Sequence, residues 1–298
     1  GRIFLVDTAQ GRIIDDEEIK SELAAEHPYG EWLANEMVHI NDLKRVAHTP
    51  PPLHETVRSL QLAFGYTEED VRLLVGPMGQ HGTEPIGSMG TDASLAVLSD
   101  RSRLLYDYFK QLFAQVTNPP LDSIREELIT DMGSTIGSER NLLNPESASC
   151  HQIKIDFPLL DNDELATLRA VSDPAFRSVT LPMLFPPESG SVGLERAMDD
   201  LCQRASTAVA NGHTLIVLSD RGVNRTNAPI PSLLATAGVH HHLVREGTRT
   251  QCALIIESGE AREVHHMALL LGYGAAAINP YLAFESLDGM LRSRVLMD

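Results

Sequence analysis

The chain of 298 residues carries 24 Lys and Arg against 41 Asp and Glu, a formal net charge of −17. That excess of acid argues against a nucleic-acid partner, because phosphate-backbone affinity is built from clustered cations that release counterions. With 43% hydrophobic and 22% charged residues, close to globular averages, the chain is predicted to bury a true core, as one large α/β unit or about two domains.

Cys150, Cys202 and Cys252 form no C-x-x-C pair. They fit neither a disulfide framework nor a zinc or iron–sulfur site, which suits a reducing, cytoplasmic setting. No apolar run reaches the roughly 20 residues that cross a bilayer, so no membrane partner is expected. The chain opens on what reads as a strand already under way and stops shortly after a helix-like segment. A piece of a longer polypeptide is therefore expected.

In chain order, apolar residues Ile3, Leu5, Ile13 and Ile14 alternate around Gln10-Gly11 and predict a short hairpin. Asp15 then caps a helix whose first turn is acidic. Three prolines within 48–52 make a stiff connector and the first boundary, so that 1–50 is a leading connector and 51–298 the main domain. From 53 to about 131 the pattern is helical. Thr67-x-x-Asp70 resembles a capping box, and Leu104, Leu105, Tyr108, Phe109, Leu112 and Phe113 recur at helical spacing. Residues 132–158 are rich in Gly, Ser and Asn without a period and read as a surface excursion.

Beyond residue 177, strand-like runs at 179–183, 214–219, 252–257 and 275–279 are each followed by a helix-like segment. The first such helix repeats Leu194, Ala197, Met198, Leu201, Ala205, Ala208 and Val209 and stops at Asn211-Gly212. Strand–helix–strand units of this kind pair in parallel through right-handed crossovers. The fold class is α/β: a parallel sheet with flanking helices, doubly wound or part of a (β/α) barrel, with a helical N-terminal portion.

In such sheets chemistry gathers at the C-terminal strand ends, which here carry Asp220, Arg221, Glu257, Ser258 and Asn279. These residues would form a small polar site or merely cap helices and pair with one another. The cluster His240-His241-His242 points its rings about 100° apart on a helix and cannot converge on one ion. The pairs His242 with Glu246 and Glu263 with His266 do have ligand spacing, while His265 beside His266 has no assigned role. A bridged di-metal centre would need more such motifs. The glycine-rich loop 76–92 holds Gly87 and Gly90 beside the hydroxyls of Thr83 and Ser88 but no Lys or Arg, so it offers approachable backbone without a countercharge for phosphate.

Beyond these patterns, several stretches resemble one family. Gly11-Arg12-Ile13-Ile14-Asp15-Asp16-Glu17-Glu18 is similar to the segment leaving the glutaminase domain of the glutamate synthase large subunit. In the family's order there follow Gln61-Leu62-Ala63-Phe64-Gly65-Tyr66-Thr67, Glu84-Pro85-Ile86-Gly87-Ser88-Met89-Gly90, Val116-Thr117-Asn118-Pro119-Pro120, Leu218-Ser219-Asp220-Arg221-Gly222, Val239-His240-His241-His242-Leu243-Val244 and Asn279-Pro280-Tyr281-Leu282-Ala283-Phe284-Glu285, all similar to that enzyme's central domain.

The resemblance implies an oxidoreductase that frees ammonia from glutamine in one domain and uses it to aminate 2-oxoglutarate in another, which holds FMN and an iron–sulfur cluster. This chain would be the non-catalytic domain between them, inactive alone, without cofactor or metal, and helping to wall the ammonia tunnel. Its partners would be the flanking glutaminase and FMN-binding domains, and a small subunit or ferredoxin acting through the parent enzyme. The family's pair of tunnel hydroxyls maps onto Thr83 and Ser88. Two other readings stand beside it: a freestanding α/β enzyme using Asp220, Arg221, Glu257 and Asn279, and a metal-dependent hydrolase built on His242, Glu246, Glu263 and His266.

Overall fold

The computed structural model describes residues 2–47, 54–85, 95–110 and 116–296. Strands β1 (Leu5–Asp7) and β2 (Arg12–Ile14) pair antiparallel with Leu5 opposite Ile14, and Gly11 takes the turn at φ +66°. Helix α1 (Asp16–Ala25) starts where Asp15 accepts the Asp16 N–H at 2.8 Å. Helix α2 (Tyr29–Glu36) and strand β3 (Val38–His39) complete this leading part.

Helix α3 (His54–Ala63) is followed by the reciprocal Thr67 and Asp70 capping bonds, both 3.0 Å, which open a π-helical turn over Asp70–Val75. That turn runs into α4 (Gly76–His81), which ends at Gly82 with φ +66°. The helical spacing at 104–109 does not produce an α-helix. Leu105–Phe109 is a 3₁₀ turn, because Tyr106 is drawn fully into the core, its ring 4.2 Å from that of His266 and its hydroxyl 2.5 Å from Ser232 Oγ. Tertiary anchoring overrides local spacing at that point. Leu112 and Phe113 lie outside the described residues. Helix α5 (Ser123–Ile129) is capped by Asp122, which accepts the N–H groups of Ile124 and Arg125.

The stretch expected to be an unpatterned excursion contains two strands, β4 (Ser134–Ile136) and β5 (Ile153–Ile155), which form a small sheet in the order β3-β5-β4. Three residues are too few for a period to show in sequence, although Ile153 and Ile155 are buried on either side of exposed Lys154. Helix α6 (Asn162–Arg169) follows, with a capping box between Asp161 and Glu164.

The main sheet comes next in the chain. β6 (Ser178–Pro182) leads through the short β7 (Leu184–Phe185) to α7 (Gly190–Ala210), and β8 (Leu215–Ser219) through the short β9 (Ala228–Pro229) to α8 (Ser232–Arg245). Then β10 (Ala253–Glu257) is followed by α9 (Val264–Gly272), and β11 (Ala277–Asn279) by α10 (Tyr281–Arg292). The four long-range partners align in the order β6-β8-β10-β11, all parallel, while β7 and β9 pair antiparallel beside them. The order advances in one direction without reversal, the topology of an arc of a (β/α) barrel rather than of a doubly wound sheet. Among the described residues the arc does not close.

Period-two alternation sends the strand residues to two cores. Leu181, Ile216, Leu218, Leu254 and Ile256 pack under α7, α8 and α9 against Leu201, Val239, Leu243 and Leu270. Leu215, Val217, Ala253, Ile255 and Ala277 face the other way, onto α6 and the small sheet through Leu165, Leu168, Ile153 and Ile155. Covering both faces explains why the strands read as apolar throughout. A third cluster, with Val57, Phe64, Tyr66, Tyr281 and Leu282, seats α3 against α10 across the C-terminal strand ends. Among the described residues no helix is long and apolar enough to cross a membrane.

Candidate functional site

The parallel register brings Ser219 of β8, Glu257 of β10 and Asn279 of β11 side by side at one edge. Glu257 is 1% exposed. It is held by two guanidinium groups, Arg169 at 2.6 and 3.2 Å and Arg221 at 2.7 Å, and accepts the Ser219 hydroxyl at 2.5 Å. Burial would raise its carboxyl, but the bonds and charges of Arg169, Ser219 and Arg221 outweigh that and hold it below the usual range. Arg221 also donates to Glu285 at 2.9 Å and lies over the Tyr281 ring, 4.0 Å from its centroid.

Asp220 points into the adjoining turn. It accepts Ser258 Oγ–H at 2.7 Å and the Gly259 N–H at 2.9 Å. Burial nonetheless pushes its carboxyl up to about 7, as these bonds and one from Tyr281 offset only part of the desolvation. Asn279 spends its amide on structure, donating to Leu160 O at 2.9 Å and Asn162 Oδ1 at 3.1 Å.

A second network lies beside the first. Glu260 accepts both the N–H and the hydroxyl of Ser232 at 2.9 and 2.6 Å, which pins the start of α8. Arg262 spans to Gly65 O at 3.0 Å and Asp70 at 3.1 Å, tying the turn after β10 to the end of α3. A cleft of about 870 Å³ opens alongside, bordered by Asp70, Asp107, Lys110, Glu260, Arg262 and Glu263. Lys110 lies between two of its carboxylates, 3.5 Å from Asp107 and 3.6 Å from Glu263.

The four residues expected at a polar site thus divide among three sets of contacts. Arg221 and Glu257 share one, Asp220 belongs to the turn beyond β10, and Asn279 anchors the loop before α6. The spacing of residues did not reveal Arg169, which lies 88 positions from Glu257 in the chain. Glu285 had a readable signal: it falls four residues after Tyr281 on α10 and so shares its face.

The candidate histidines are each engaged in contacts with other residues. His266 is fully buried against Tyr106, and burial lowers its imidazole to about 3. Glu263 stands 3.7 Å from it. His242 Nε2 is 2.8 Å from Ser206 Oγ and 3.4 Å from Glu246. His240 Nδ1 accepts Arg249 Nε–H at 2.9 Å, and His265 reaches Tyr106 O at 3.2 Å. Among the described residues no three His, Cys, Asp or Glu side chains group to hold a metal. Of the loop residues, Thr83 is exposed just past the end of α4, and Gly87, Ser88 and Gly90 lie outside the described residues.

An open arc of parallel strands flanked by helices, its C-terminal edge filled by paired charges, defines a mixed α/β domain. The model of the glutamate synthase central domain matches residues 59–297, and that of class-II glutamine amidotransferases matches residues 1–32. The chain belongs to the glutamate synthase central domain family. It is 46% identical to the glutamate synthase (NADPH) large chain of Bacillus subtilis over 290 residues, which is 96% of this chain and 18% of that protein. It is 42% identical to the glutamate synthase (NADH) of Schizosaccharomyces pombe, over 99% of this chain and 14% of that protein. With the ferredoxin-dependent glutamate synthase 2 of Synechocystis it shares 41% identity over 96% of this chain and 18% of the relative. The chain therefore spans less than a fifth of the length of these relatives.

Proposed function

We propose that the chain is the non-catalytic domain joining the glutaminase and FMN-binding domains of a glutamate synthase, and that it helps to wall the tunnel through which ammonia passes. The observation that carries the reading is the family match over residues 59–297 within relatives more than five times as long. The amidotransferase match over residues 1–32 supports the division into a leading connector, 1–50, and a central domain, 51–298. Residues at the sheet edge support the non-catalytic role: Arg169, Arg221, Glu257 and Glu285 are engaged with one another in ion pairs.

FMN and the iron–sulfur cluster belong elsewhere in the parent. A flavin phosphate at this edge would face the carboxylates of Glu257 and Glu285, and the cysteines come from three separate elements, Cys150, Cys202 and Cys252, all free. These features support placing both groups outside this domain. Free thiols suit a reducing compartment, the cytoplasm. The electron donor, a small nicotinamide-linked subunit or ferredoxin, acts through the parent rather than on this domain.

Ammonia must travel as the neutral species, so hydroxyls and backbone carbonyls suit a tunnel wall better than carboxylates, which favour ammonium. Thr83, Gly87, Ser88 and Gly90 offer that chemistry. In the full-length parent, Ser88→Trp should lower glutamate formed per glutamine hydrolysed while hydrolysis continues. A stoichiometry equal to wild type removes these residues from the tunnel, and turnover by the isolated 298-residue chain removes the non-catalytic role.

A further inference from the structure

Helix α5 (Ser123–Ile129) is a formed, capped helix with its described side chains turned to the surface. Every residue in it whose burial is described is exposed, with Ile124 at 75%, Leu128 at 83% and Ile129 at 61%. Ile124 and Leu128 are four apart on the helix and share one apolar face, and Leu121, 41% exposed, lies just before the cap Asp122. Met132 just beyond the helix is 56% exposed. Asp122, Arg125 and Glu126 take the remaining described positions, and Asp122 accepts two backbone N–H groups at the helix start.

A helix of seven residues is too short to persist in water on propensity alone. A contiguous apolar face of this kind on a soluble protein marks a surface that something covers. A second copy is a poor occupant, since each chain carries a net charge of −17 and the stripe is flanked by Asp122, Glu126 and Asp131, so that two such faces would repel. The relatives that match this chain almost end to end leave more than four-fifths of their own length outside the match, 18% being covered in the Bacillus subtilis protein.

We infer that the Ile124 and Leu128 face of α5, with Leu121 before its cap, is an interdomain docking surface, occupied by an apolar groove of the same parent polypeptide outside residues 1–298. The inference rests on the proposed membership of a longer glutamate synthase chain. It names the element through which the central domain is locked to its neighbour.

The test places the photo-cross-linking residue p-benzoylphenylalanine at Leu128 in the full-length parent, and at Arg125 as a control on the same helix. Irradiation should deplete the linear peptide containing position 128 and yield a branched peptide joined to a segment outside residues 1–298, within one chain and independent of protein concentration. A cross-link to residues inside 1–298, to a second copy or to another protein overturns the inference, as does no cross-link or an equal yield from position 125. Placing the probe at Ile124 repeats the test if the first variant does not make glutamate. The intact mass of the parent tests the underlying membership separately: a polypeptide no longer than this chain sinks that reading, whereas a long polypeptide without the cross-link sinks only the docking.

Discussion

Asp220 and His266 show how burial, as the largest cause, sets protonation inside this domain. Asp220 is raised from 3.8 to about 7 by desolvation, so across that window the folded chain keeps a proton that the unfolded chain has lost. Stability contributed by this group is therefore fully present at low pH and falls as pH rises towards 7. His266 is lowered from 6.5 to about 3, so its contribution has the opposite sign, present above 6.5 and lost on acidification. The two offset each other in wild type. Asp220→Asn mimics the protonated acid, because its amide can still accept from Gly259 and donate to Ser258. The unfolding free energy of the variant relative to wild type should rise between pH 4 and 7, by on the order of 4 kcal/mol for a shift of about three units. Urea denaturation at a series of pH values checks this, and a difference curve that is flat would show that Asp220 is ionised in the fold.

Arg221 is the other residue on which the edge depends. Without it Glu285, 2% exposed, loses its cation, whereas Glu257 keeps the two bonds from Arg169. Arg221→Met should cost about 3 kcal/mol or more, as expected when one member of a buried ion pair is removed. Adding Glu285→Gln should return part of that cost. Strictly additive unfolding free energies for the double variant would mean that the two groups do not interact.

Elements meet at single close contacts as much as through broad faces. Gly259 sits in the turn after β10, and a methyl group there would come within 2.6 Å of the Phe64 ring at the end of α3. The same turn donates to Asp220 and continues to Arg262, which bonds Gly65 O. Gly259→Ala should force Phe64 aside and cost about 1–3 kcal/mol, read as a drop in thermal midpoint. Phe64→Leu in the same chain should recover part of it. A midpoint unchanged by Gly259→Ala would mean that α3 does not bear on the sheet edge at this point.

At the scale of the molecule, the four parallel strands form an arc covered on both faces, with helices on one side and α6 plus a three-stranded sheet on the other. α3 and α10 lie across the C-terminal strand ends. That edge, where α/β enzymes place substrates, is filled by Arg169, Arg221, Glu257 and Glu285. In the proposed linking role, such a domain would hold two neighbours at fixed separation. An uncovered helix such as α5 is the kind of surface through which it would do so.

The sequence by itself determined the β8, β10 and β11 runs, the long helix α7 with its Asn211-Gly212 stop, and the caps at Asp15 and Thr67. Each rests on local periodicity or on bonds between residues a few positions apart. It also carried the family, because the motifs quoted along the chain are contiguous. Only the tertiary structure decided that residues 104–109 make a 3₁₀ turn around buried Tyr106 and that 132–158 contributes two strands. It alone decided which partners Glu257 takes, and that the arc runs one way without reversal. Those outcomes depend on burial and on contacts between residues tens to hundreds of positions apart, such as Arg169 with Glu257 or Gly65 with Arg262, and local patterning carries no record of them.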